Sequence, residues 1–142
     1  MTEAKSIRAF RMQDIHDIME IERQAFPKSA YSKALILDYA RRYPEGFIVL
    51  DTGGEVVGYL IYDEQQGHIF SMAVKSSCRR KGLGRMMFMH ARNHVEGKLW
   101  LEVRSKNSGA VLFYESLGMR IRGKVPGYYE TDDALIMVIE KE

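Results

Sequence analysis

Apolar residues at Ile15, Ile18, Met19, Ala25 and Phe26 recur with steps of three and four, with Glu22 inside the same stripe. That spacing predicts an amphipathic helix over residues 13–26, broken by Pro27. Ser32 is placed to cap a second helix carrying Leu35, Ile36, Tyr39 and Ala40, which ends before Pro44. A short strand is expected at 6–10. Strands at 47–51 and 56–63 flank Thr-Gly-Gly, a hairpin signal. Gly67 precedes a strand at 68–74. Residues 82–95 read as a helix, with Met86, Met87 and Met89 as adaptable core filler. A strand at 98–104, a helix at 108–117 ended by Gly118, and strands at 119–124 and 134–140 complete the chain. The order is β-α-α-β-β-β-α-β-α-β-β. It implies an α/β (α+β) fold: a mixed, mostly antiparallel sheet of six to seven strands with a central parallel pair, flanked by four helices. A dinucleotide-binding domain alternates strand and helix throughout, and this chain does not.

Composition narrows the class. The 142 residues are 46% hydrophobic and 28% charged, which suits one globular domain spanning 1–142 and argues against disorder. One cysteine, Cys78, excludes a disulfide framework or a multi-cysteine zinc site and fits a reducing compartment. The longest apolar candidate, residues 56–62, is far too short to cross a bilayer, and residues 1–6 carry no signal-type stretch. A cytoplasmic protein without membrane contact is the expectation.

Charge is uneven. Net charge is +2, yet residues 65–95 hold six Lys/Arg and no acid. Such a stretch suits a bound anion or, equally on charge alone, a solvated helix face. Nucleic acid is the weaker reading, because the cluster is short and no aromatics interleave it. Within it, Arg79-Arg80-Lys81-Gly82-Leu83-Gly84-Arg85 lies between an apolar strand and a helix. Gly82 and Gly84 let an anion approach the backbone, and the N–H groups of the new helix point toward it. No Gly-Lys-Ser/Thr follows, so this is not a Walker loop. A diphosphate is the ligand it suits.

With this loop, the chain resembles the GNAT superfamily of acetyl-CoA-dependent N-acetyltransferases, most of all the protein N-terminal acetyltransferases of the RimI and archaeal Ard1 type. Gly67-His-Ile-Phe-Ser-Met-Ala-Val74 is similar to the family's acetyl-CoA strand. Leu101-Glu-Val-Arg104, with Asn107-x-x-Ala110-x-x-Phe113-Tyr114-x-x-Leu117-Gly118, matches its second half. Gly127-Tyr-Tyr129 and Asp133-Ala-Leu-Ile-Met137 resemble the tyrosine-bearing loop and last strand, and Ala25-Phe-Pro27 through Tyr31 the substrate-side helix-loop-helix. Met119 and Ser77-Cys78 depart from the usual pattern without removing a functional group. The resemblance implies acetyl-CoA as cofactor, held by the backbone of Met72, Ala73 and Val74, by residues 79–85, and by Asn107 and Tyr114. It also implies a protein or peptide N-terminus as acceptor (a ribosomal protein is one option), and a monomer or weak homodimer. No metal is expected.

Amine acetylation needs a neutral amine, a held carbonyl, a stabilised oxyanion and help for the departing thiolate. The resemblance implies that a backbone N–H of the acetyl-CoA strand serves the oxyanion, and the candidate is that of Val74. Tyr114 is the candidate for the leaving group; the bland alternative is a core tyrosine bonded to a carbonyl. A phenol's reference pKa near 10 exceeds a thiol's of about 8.5, so Tyr114 is suited to donating a hydrogen bond rather than transferring its proton outright. Glu102 is the base candidate, against a simple contact with Arg104 on the same strand face. A peptide α-amine with a pKa of about 7.7–8.0 demands less of one carboxylate than a lysine near 10.4. Tyr31, Tyr128 and Tyr129 are expected to grip the peptide, and Phe26 and Pro27 to line the pocket for its first side chain. His68 reads as a structural or supporting residue and Cys78 as a bystander. A small-molecule amine or lysine acceptor, and a non-catalytic CoA- or nucleotide-binding module, remain the competing readings.

Overall fold

A computed structural model of the chain describes residues 4–140. The elements are β1 (Lys5–Ala9), α1 (Ile15–Ala25), α2 (Lys33–Arg42), β2 (Phe47–Thr52), β3 (Glu55–Tyr62), β4 (Ile69–Val74), α3 (Leu83–His94), β5 (Lys98–Arg104), α4 (Ser108–Ser116), β6 (Arg120–Tyr129) and β7 (Asp132–Glu140). Short 3-10 turns precede α1 and follow β4. Four α-helices and the expected strand order are present. The hairpin at Thr52–Glu55 closes through Gly53 and Gly54, both with positive φ, the geometry that matches strand twist.

The strands form two antiparallel sheets, β1-β2-β3-β4 and β5-β7-β6. The expected central parallel pair is reduced to one bridge, His68 to Trp100, with Trp100 N–H donating to the Gly67 carbonyl at 2.9 Å. Beyond it β4 and β5 diverge. Strand twist carries them apart, and residues Phe70–Met72 and Leu101–Arg104 line a cavity in the opening. The sheet is thus a wedge rather than a continuous ladder, and its apex is the bridge.

β3 is the middle of the first sheet and is buried on both faces from Val56 to Tyr62. On one face α1 and α2 deliver Ile18, Ile21 and Ile36 against Phe47, Val49, Tyr59 and Ile61. On the other, α3 delivers Leu83, Met87, Phe88 and Ala91 against Leu60, Leu99, Leu101 and Met137. Arg8 fastens the start of α1 by pairing with Asp14 at 2.8 Å and Asp51 at 3.2 Å. Burial opposes ionisation of Asp14, but Arg8 and the Arg11 N–H outweigh it and hold the carboxyl below its ordinary range.

The last hairpin is longer than the sequence predicts. β6 continues through Pro126 to Tyr129, with register shifts after Ile121 and Val125. Pro126 is tolerated because β6 is an edge strand, where a missing N–H costs no ladder bond. The Gly127–Tyr129 segment expected as a loop is therefore the end of a strand.

Candidate active site

Two adjoining cavities occupy the wedge. One, of about 680 Å³, runs from β4 along the start of α3. The other, of about 330 Å³, lies between β4, β5 and the segment after α1. Phe26, Met72, Asn107, Ala110 and Tyr114 line both.

The larger cavity is built from backbone and charge. β4 is an edge strand whose Lys75 N–H turns inward to the Val57 carbonyl at 2.7 Å. Antiparallel alternation then turns the N–H groups of Met72 and Val74 outward, and Ala73 inward. Tyr31 Oη confirms the parity by donating to the outward Phe70 carbonyl at 3.1 Å. Arg79, Arg80, Gly82, Leu83, Gly84 and Arg85 line the far end. Leu83 contributes only backbone there, its side chain being core. Lys81 is exposed and lies outside the lining.

The two glycines do different work. Gly82 has φ +76° and open space where a Cβ would stand, so it permits close approach. Gly84 lines the cavity and also makes room for protein: a Cβ would meet the Phe113 ring at 3.0 Å. Arg80 also adopts positive φ, 65°, the only non-glycine among the described residues to do so. The α3 first turn contains no acid. An outward strand edge, an open glycine, helix N–H groups and three arginines fit a diphosphate on a pantetheine arm. Two of the arginines have protein partners as well: Arg79 Nε donates to the Val74 carbonyl at 3.4 Å and Arg85 to the Ser116 carbonyl at 3.0 Å.

The smaller cavity is built from side chains. Glu22, only 1% exposed, stands on the sheet-facing side of α1. It accepts hydrogen bonds from Tyr59 Oη, from Ser71 Oγ at 3.3 Å and from the Tyr31 N–H at 2.9 Å. Burial, then the Glu22 charge, pushes the Tyr59 phenol well above its ordinary value. Burial, then Tyr39, does the same to Tyr31. Sequence reasoning placed Glu22 in the helix stripe without giving it a task. The signal was there: an acid within an apolar face must find donors when buried.

Glu102 lines the same cavity from β5. Its partner is His68, whose Nε2 lies 2.8 Å from Oε1 and 3.0 Å from Oε2. The Arg104 contact weighed from the sequence is not the arrangement found. Arg104 instead stacks its guanidinium over the Tyr129 ring at 4.2 Å. Tyr129 lines the cavity, held there by the β6–β7 turn, where Asp133 accepts the Gly127 N–H at 2.8 Å. Phe26 and Tyr31 also line it. Two expected members do not: Pro27 is exposed at the turn after α1, and Tyr128 is 53% exposed and packs edge-on against Tyr129. Strand alternation at the end of β6 sends these neighbouring tyrosines to opposite sides.

Tyr114 stands where the cavities meet, without a hydrogen-bond partner for its hydroxyl among the described residues. Burial, then Tyr129, pushes its phenol up to about 12, so it stays a proton donor across working pH. Of its expected face, Leu117 is buried and Ala110 packs inward, while Phe113 turns out over Gly84. Asn107 spends its Oδ1 capping α4, accepting the Ala110 N–H at 3.1 Å, which leaves its NH₂ for the cavities. No cluster of three or more metal-ligating side chains occurs among the described residues. No helix among them is long and apolar enough to cross a membrane.

Comparison with known proteins agrees with this geometry. The chain is 38% identical over 143 residues to an uncharacterized N-acetyltransferase of Methanocaldococcus jannaschii, covering 96% of this chain and 91% of that one. It is 30% identical to an N-alpha-acetyltransferase of Sulfurisphaera tokodaii, covering 92% and 90%. The crystal structure of Ard1 from Thermoplasma volcanium superposes with a TM-score of 0.86 at 32% identity, covering 98% and 99%. Residues 13–119 match the acetyltransferase (GNAT) family, and the chain belongs to that family of acetyl-CoA-using enzymes.

Proposed function

We propose that the protein acetylates the N-terminal α-amine of a protein or peptide by direct transfer from acetyl-CoA. The observation that carries this is the unpartnered Tyr114 hydroxyl at the junction of a diphosphate-suited cavity and a second cavity holding Glu102. The similarity to an N-alpha-acetyltransferase supports the choice of amine.

Acetyl-CoA supplies an activated thioester acyl group. Arg79, Arg80, Gly82, Leu83, Gly84 and Arg85 bind the diphosphate through backbone N–H groups and guanidinium charge, and the outward groups of Met72 and Val74 align the pantetheine arm along β4. The Val74 N–H faces the oxyanion that develops on attack. Glu102 takes the proton of the amine, and Tyr114 donates a hydrogen bond to the leaving sulfur. Tyr31 and Tyr129 wall the peptide, and Phe26 borders its first side chain. Residues 1–142 act as one catalytic domain.

Thiol release should be followed with acetyl-CoA and a panel of peptides varied at the first two positions, ribosomal-protein N-termini included, beside free lysine and small amines. The expected result is release with α-amine peptides and loss of signal when the α-amine is blocked. Release only with lysine or small amines overturns the acceptor. Tight acetyl-CoA binding with no release on any amine overturns catalysis.

A further inference from the structure

We propose that Arg104 reads an acidic side chain at the second position of the acceptor, which makes N-termini with Asp or Glu as their second residue the preferred substrate class; this deepens, and rests on, the α-amine reading above. Among the described residues Arg104 is the only cationic side chain lining the smaller cavity, and it does not line the larger one. Its charge therefore belongs to the acceptor side and not to the carrier's diphosphate.

The acids that could neutralise it are committed elsewhere. Asp132 accepts from Ser105 Oγ at 2.6 Å and from the Lys106 N–H at 2.8 Å. Asp133 accepts the Gly127 N–H at 2.8 Å and pairs with Lys124 at 3.3 Å. Glu102, two residues back on β5, is held by His68. Arg8, by contrast, pairs with two aspartates. Among the described residues the Arg104 guanidinium has no carboxylate and no hydrogen-bond acceptor; its specific contact is the face of the Tyr129 ring, 4.2 Å away. A ring against its face fixes the plane of a guanidinium and leaves its N–H edge free, and that edge is the fork to which a carboxylate binds bidentately.

Spacing sets which acceptor residue meets it. Glu102 and Arg104 stand on one face of β5, about 7 Å apart. An amine held at Glu102 puts the second Cα of an extended acceptor about 5 Å away, and an Asp or Glu carboxylate reaches about 2–4 Å further. The second side chain thus arrives at the guanidinium. Extended alternation sends the first side chain the other way, toward Phe26 and Tyr31. The pair forms inside the cavity, where salt screens it little.

The test is thiol release with acetyl-CoA and peptides alike except at the second residue, compared in isosteric pairs, Asp against Asn and Glu against Gln, with Lys as the opposite charge. The parent should favour at least one acid over its amide by about tenfold or more in kcat/KM. In Arg104→Gln that ratio should fall to within about twofold, and in Arg104→Glu the order should reverse, with Lys ahead of the acids. Reading the ratio separates recognition from a merely structural role, which lowers all peptides together and leaves the ratio in place. A parent that treats each acid and its amide within twofold overturns the inference and leaves the proposed function standing, as does an acid preference that survives in Arg104→Gln. If those variants fail to fold, Arg104→Lys, which keeps the charge and loses the fork, should retain only part of the preference; a full preference there overturns the bidentate reading. A parent that releases no thiol on any α-amine peptide overturns the functional proposal, and this inference with it.

Discussion

The two cavities are built by different physics. The larger one uses backbone N–H groups, glycines and exposed arginines, nearly all from residues 72–85. The smaller one uses buried side chains drawn from α1, β4, β5 and the end of β6. Charge and backbone geometry are properties of a short stretch of chain. A carboxylate with three donors exists only once distant segments have packed. The first cavity should therefore tolerate change in its neighbours and respond to salt. The second should couple binding to folding stability.

The largest expected effect is at the shared wall. Tyr114→Phe should lower kcat about 10²-fold, a typical general-acid contribution, with both KM values little changed. Because burial holds this phenol up to about 12, its ionisation should cause no alkaline fall in kcat below about pH 11. A parent profile that collapses near pH 10 and is flat in Tyr114→Phe contradicts that environment. Next comes Glu102→Gln, with a deficit near 10²-fold at pH 7 that narrows toward pH 9, where roughly nine in ten α-amines are already neutral. A deficit independent of pH would count against a base.

Glu22→Ala tests the packed cavity. It strips a partner from Tyr59, Ser71 and the Tyr31 N–H together, and should cost about 3 kcal/mol in denaturant unfolding. Peptide KM should rise severalfold while acetyl-CoA binding by calorimetry stays close to the parent. Equal damage to both ligands would erase the contrast between the cavities. Gly82→Ala is the matching change on the other side. A left-handed φ costs an alanine about 1 kcal/mol, so acetyl-CoA affinity should fall about fivefold with peptide KM unmoved. The smallest effect is ionic: raising salt from 50 to 300 mM should weaken acetyl-CoA a few fold and leave the peptide nearly unaffected.

The same contrast explains what the sequence disclosed. The Arg79–Arg85 loop between strand and helix was legible because its glycines, arginines and flanking elements are consecutive. Helix periodicity placed α1 to α4, and the Thr-Gly-Gly hairpin fell where expected. The length of β6 was missed, because Pro126 argues against a strand until its edge position is known. The wedge was missed because pattern cannot say where two strands stop pairing. The Phe113 ring over Gly84 had no signal nearby in sequence. Glu22 and the His68–Glu102 contact join residues 9 to 49 positions apart, beyond any local signal.

The bridge between His68 and Trp100 is also the apex from which β4 and β5 part. At about 3.3 Å per residue, Val74 lies about 20 Å along β4 from it, and Glu102 about 7 Å along β5. A rigid rotation of about 5° at that point would shift the first by about 1.7 Å and the second by only about 0.6 Å. A small change at the join of the sheets is therefore amplified about threefold at the Val74 end of the larger cavity relative to Glu102.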